Sequence, residues 1–88
     1  MDSITLSKEI LEEVEGLICG DRAASYGDAF DSFTRIGKRL DTKGSEVALM
    51  LLMTKLDRED FKHKKDNLVD MVGYAVLYAV CKYKENEK

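Results

Sequence analysis

Two stretches of this 88-residue sequence restrict its fold more than anything else in it. "VALMLLM", residues 47–53, is apolar on every side for nearly two helical turns. "LVDMVGYAVLYAVC", residues 68–81, is close to apolar all round, with one carboxylate, Asp70, inside it. A helix of this kind needs partners on all its sides. The remaining chain supplies only two short helices to cover the pair. The simplest expectation is therefore a homo-oligomer in which these two helices also form a subunit interface, through a two-fold axis. The alternative is a tight monomeric packing with a few apolar residues left exposed.

Composition supports helices. The chain has no proline and no tryptophan, and 35% of its residues are charged, a mix that favours helix over sheet. The formal net charge of −3 argues against a general nucleic-acid binder, which carries a basic face, but leaves room for a local anion pocket. Cys19 and Cys81 form neither a disulfide framework nor a zinc pattern, and no signal peptide is expected ahead of the first helix. The apolar run from Val47 to Met53 is too short to span a membrane. These features lead to an expectation of a soluble protein of a reducing, cytoplasmic compartment.

The pattern predicts an all-α unit of four helices in a single domain over residues 1–88, with 84–88 a frayed charged tail. The first helix is expected over about Ser7–Ile18, with Ile10, Leu11, Val14, Leu17 and Ile18 on one stripe. Ser7 is its expected N-cap, Glu9, Glu12 and Glu13 favour its first turns, and Gly20 is expected to stop it. Asp28 is the expected N-cap of a second helix carrying Phe30, Phe33, Ile36 and Leu40. "DTKGS" breaks the chain, Ser45 caps a third helix ending near Asp60, and a fourth runs from Lys64 or Lys65 to about Tyr83.

The last two helices form a hairpin whose loop sets its register. A turn at Phe61–His63 places Lys55 opposite Asp70 and Arg58 opposite Asp66. Asp66, Asp70 and Tyr74, spaced i, i+4, i+8, share one face. Asp70 must be paired or bind something, because isolated burial of charge is very costly. An ion pair with Lys55 or Arg58 satisfies that requirement as well as a ligand does. Gly73 weakens its helix, which points to close approach by a neighbouring backbone or a ligand.

The span "GDRAASYGD", residues 20–28, reads as a polar connection with the parts of a nucleotide site. Asp28 as N-cap leaves the N–H groups of Ala29 and Phe30 at a helix N-terminus. Arg22 offers a bidentate grip on phosphate, Ser25 a hydroxyl donor, and Tyr26 a flat face for a base. The equally open structural reading has Gly27 permitting a turn while Arg22 and Tyr26 tie the connection to Asp66 or Asp70.

The segments "GDRAASYGDAFDSFTRIGKRL", "EVALMLLMTKLDRE" and "HKKDNLVDMVGYAVL" resemble, in this order, a family of small helical phage and prophage proteins carried as a domain of unknown function. The last helix is similar to that of the MazG-like all-α nucleoside triphosphate pyrophosphohydrolases. In size and in its nucleotide-suited loop the chain also resembles phage sponge proteins, which sequester cyclic dinucleotides such as cGAMP and blunt host antiviral (CBASS) signalling. The pyrophosphohydrolases need an E-x-x-E helix facing an E-x-x-D helix to hold magnesium. Here Glu9 and Glu12 have that spacing only on the first helix. Glu46, Asp57, Glu59 and Asp60 fall out of register, and Asp66 and Asp70 are four apart. Hydrolysis is therefore not expected, and no cofactor is implied. His63 reads as a helix-start polar residue, and Lys62, Lys64 and Lys65 as a solvated rim. The expectation is a non-catalytic binder of a cyclic dinucleotide, with Arg22, Lys55 and Arg58 neutralising phosphates. Ser25, Tyr26, Asp28 and Tyr74 contact the rest of the ligand, and Asp66 and Asp70 read its base or ribose donors. The alternatives are a magnesium-dependent pyrophosphohydrolase and a helical adaptor that binds a host protein.

Overall fold

The computed structural model describes residues 1–87. Among them the chain is all-helical: α1 (Ser3–Glu15), a π-helical turn (Gly16–Asp21), α2 (Arg22–Tyr26), α3 (Ala29–Arg39), α4 (Gly44–Phe61) and α5 (Lys65–Glu85). Because α1, the π turn and α2 run on without a break, there are four helical rods, as the apolar periodicity predicts.

The first rod departs from expectation at both ends. It starts four residues early, capped by Asp2, whose carboxylate accepts the Thr5 N–H at 2.8 Å. Ser7 lies inside the helix, where its hydroxyl donates to the Ser3 carbonyl. Gly20 does not stop it. The Arg22 N–H donates five residues back to the Leu17 carbonyl, the widened bond that defines a π turn. The rod ends instead at Gly27, whose φ of +77° is a conformation that side chains disfavour. Helix α3 begins as expected, with Asp28 accepting the Asp31 N–H.

The α3–α4 corner is built on close backbone approach. The Thr42 and Asp41 N–H groups fold back to the carbonyls of Gly37 and Lys38, a Schellman ending in which Asp41, at φ +55°, takes the left-handed position usual for glycine. A Cβ on Gly37 would lie 2.6 Å from the Thr42 carbonyl oxygen, and one on Gly44 would lie 3.0 Å from the Thr34 nitrogen. Ser45 is not the N-cap of α4. Lys43 holds that position, and the first turn is capped from a distance by Glu85. Its carboxylate accepts the Ser45 N–H at 3.0 Å and the Ser45 hydroxyl at 2.7 Å. Residues 84 and 85, expected to fray, are therefore helical, and Lys88 lies outside the described residues.

Helices α4 and α5 pack along each other as an antiparallel hairpin. Helix α3 lies mainly on α4 and touches α5, α1 lies on α5, and α2 touches α3. The α1–α2 rod and α3 thus make one layer over a single side of the hairpin. The core between the layers is small: Val14, Val47, Ala48, Val69, Tyr74 and Cys81 are its buried apolar residues. Of the predicted α1 stripe, Leu11 is exposed, and so are Ile36 and Leu40 of α3.

Candidate functional site

Asp70 lies at the centre of the polar contacts where α2, α4 and α5 meet. The predicted register holds: Lys55 Nζ lies 2.9 Å from Asp70 Oδ2. From the other side Arg22 places Nη2 3.8 Å from Asp70 Oδ1, and its Nη1 donates to the Tyr74 hydroxyl at 3.2 Å. The guanidinium carbon sits 5.8 Å from the centre of the Tyr74 ring, within cation–π range. Four residues from α2, α4 and α5 are thereby joined. The Tyr74 hydrogen bond, with the charges of Tyr74, Asp70 and Tyr26 behind it, raises the Arg22 pKa above its ordinary value. Asp70 answers the cost of its partial burial by pairing with two cations.

An open cleft of about 500 Å³ lies beside this cluster, between the π turn and α5. Its polar walls are Glu13, Asp21, Arg22, Asp66 and Asp70, and Leu17 and Val69 supply apolar surface. Glu13 is held from outside by Lys65 Nζ at 2.7 Å, a contact that also raises the Lys65 pKa. Neither Glu13, expected only to favour the first turns of its helix, nor Asp21 is among the predicted ligand residues. Glu13, Leu17 and Asp21 are spaced i, i+4, i+8. That signal becomes readable only when helical geometry continues past Gly20.

The other predicted site residues fare differently. Asp66 borders the cleft, and Tyr26 stands one turn beyond Arg22, 74% exposed. Ser25 is exposed on α2. Asp28 is occupied as a cap, so its carboxylate, not a free anion site, fills the start of α3. Arg58 does not pair with Asp66. It lies across the hairpin with Phe61, Lys62, Lys64 and Asn67 around a separate hollow of about 300 Å³. The reason is helical phase: three residues past Lys55 turn a side chain by about 60° off the facing line. The neighbour that crowds Gly73 is a side chain and not a backbone, with Ile18 Cγ2 3.3 Å from where a Cβ would stand. His63 pairs with Glu59, whose carboxylate also accepts the Lys64 N–H. The His63 bond and then the Lys64 bond hold the Glu59 pKa below its ordinary value.

Magnesium is the metal that the pyrophosphohydrolase resemblance implies, and the donor set does not fit it. Among the described residues no three acidic, histidine or cysteine side chains converge closely enough to hold a metal ion. Of the cleft carboxylates, Glu13 and Asp70 are already engaged by lysines.

The model of a domain of unknown function, DUF6378, matches residues 9–82, a span that includes the whole cluster and cleft. The chain belongs to the DUF6378 family. It is also 32% identical over 88 residues to the Gene 55 protein of Mycobacterium phage L5, across 90% of this chain and 56% of that protein. The chain thus spans little more than half the length of that relative. No solved structure matches it. Family and relative together support the expected small phage protein of unknown function. No described helix is long and apolar enough to cross a membrane.

Proposed function

We propose that this DUF6378 chain binds a nucleotide in the cleft between the π turn and α5 without cleaving it. The preferred ligand is a cyclic dinucleotide, such as cGAMP, used in host antiviral signalling. Sequestering it would blunt that signalling from the host cytoplasm. The observation that carries the reading is the oriented guanidinium of Arg22, fixed by Asp70 and Tyr74 at the edge of an open cleft. A pre-positioned Arg is suited to gripping a phosphate. The remaining polar walls are carboxylates, which accept hydrogen bonds from base amino groups and ribose hydroxyls. They also repel dense negative charge. A ligand with two well-separated phosphate charges suits these walls better than a bare triphosphate does. Tyr26, exposed one turn beyond Arg22, offers a stacking face. Arg58 and Asp28 have no part in this site.

The test mixes the purified protein with cyclic dinucleotides and nucleoside triphosphates, with and without magnesium, and follows the thermal midpoint. The protein is then denatured and the released ligand identified. A cyclic dinucleotide that raises the midpoint and returns intact supports sequestration, since preferential binding stabilises the folded state. Arg22→Ala and Asp66→Asn should then each weaken binding by roughly tenfold to a hundredfold, the usual worth of a charge-assisted hydrogen bond, with the helical circular dichroism retained. Triphosphate returned as monophosphate and pyrophosphate only with magnesium would replace this reading with the hydrolase one. No shift with any nucleotide would favour the adaptor reading.

A further inference from the structure

The hairpin has a second side. On α4, Leu49, Met53 and Leu56 follow each other at i, i+4, i+7 and are 40%, 55% and 44% exposed. This stripe turns away from Gly44, which packs on α3. On α5, Leu68, Ala75 and Ala79 share an exposed face about half a turn of the helix away from Asp70 and Gly73, which meet Arg22 and Ile18. Since α1, α2 and α3 occupy one side of the hairpin, the two stripes lie together on the other. Between Asp66 and Lys82 the only charged residue of α5 is Asp70, which points inward. The outer face of α5 is therefore free of charge for about four turns.

The chain as a whole is also more exposed than a compact monomer of its size. Its accessible surface is 6538 Å², whereas a monomer of 10.0 kDa is expected to expose about 5,200 Å². Its radius of gyration is 13.9 Å, against about 12 Å for a compact domain of this length. The excess is about 1,300 Å² per chain, or about 2,600 Å² for a pair, within the range of obligate homodimers. Absence of charge at the centre, with the exposed carboxylates of Glu46 and Asp60 at the two ends of the α4 stripe, is the composition of such interfaces.

The geometry points to this face as the contact with a second copy of the chain. Two α4–α5 hairpins pack across a two-fold axis into a four-helix core, with the α1–α2 rods and α3 helices outside. The proposal does not depend on the identity of any ligand. It does fix where the clefts lie: each opens on the side of α5 opposite the interface. A dimer therefore carries two separate clefts, not one shared across the axis.

The test is the mass in solution by sedimentation over a wide concentration range. Twice 10.0 kDa is expected for the chain, and half that for the Met53→Glu, Leu56→Glu double variant. Both positions are exposed in the isolated chain, so the substitutions leave its own core untouched. If the double variant fails to fold, oxidative crosslinking decides. In a Cys19→Ser background, a cysteine at position 53 or 75 should crosslink chain to chain, and one at position 9 on α1 should not. A 10.0 kDa wild-type chain at every concentration would overturn the proposal and leave the face to another protein. So would a dimer that crosslinks through position 9 and not through 53 or 75.

Discussion

The two sides of the α4–α5 hairpin are made from the same two helices and have opposite characters. The inner side is tied by specific polar contacts: Lys55 and Arg22 on Asp70, Tyr74 on Arg22, and Glu85 on the first turn of α4. The outer side is apolar at its centre and has no partner among the described residues. Polar contacts select one arrangement of the helices, because an unpaired group left between them is costly. An apolar face imposes only the demand that something cover it. The inner side thus explains why this chain has one tertiary structure, and the outer side is where the proposed second copy would pack.

The largest expected way to break the inner side is Asp70→Ala. It strands Lys55, 19% exposed, and leaves Arg22 without its carboxylate. Full burial would cost 3–5 kcal/mol, and partial exposure reduces this to about 2–3 kcal/mol, read from urea unfolding. Gly37→Ala comes next. Its Cβ would collide with backbone at the α3–α4 corner, where neither strand of chain can easily yield, and a loss of about 2 kcal/mol is expected. Glu85→Ala removes both bonds to Ser45 and should cost about 1 kcal/mol.

Glu85 also sets a pH dependence. Burial alone would raise its pKa, but the two bonds from Ser45, together with the charges of Lys43 and Lys82, outweigh burial and leave it below the ordinary carboxylate value. Its contribution is therefore complete above the ordinary value and is lost as pH falls through the depressed one. Glu85→Ala should flatten that acid limb of the midpoint-against-pH curve. In the opposite direction, Asp41→Gly relieves a left-handed backbone at an exposed corner and should stabilise by about 0.5–1 kcal/mol. Lys65→Ala, which removes an exposed ion pair with Glu13, should leave the midpoint unmoved, because such pairs contribute little in water. A large loss there would mean that the rim of the cleft is as firmly tied as its floor.

Part of this was legible from residues alone. The apolar run from Val47 to Met53 and the longer one from Leu68 to Cys81 identified the central hairpin, and a turn near Phe61–His63 fixed Lys55 opposite Asp70. Asp28 as a cap followed from a contact three residues long. Gly20 misled, because glycine permits a helix to end without requiring it, and here a π turn carries the chain through to the positive φ of Gly27. Arg58 misled through phase, since its approach to Asp66 needed an angular accuracy that hairpin register by itself does not supply.

What the sequence by itself determined is thus the set of short-range features: helix content, the spacing of apolar positions, the α3 cap and the pairing across a tight hairpin. These depend on residues a few positions apart, or on one turn whose length fixes its register. The tertiary structure alone decided which of the equivalent polar residues meet. Arg22 finds Tyr74 across 52 positions and Ser45 finds Glu85 across 40. Many carboxylates in this chain have the chemistry to cap a helix or hold an arginine. Only the tertiary packing of the helices brings one of them within bonding distance.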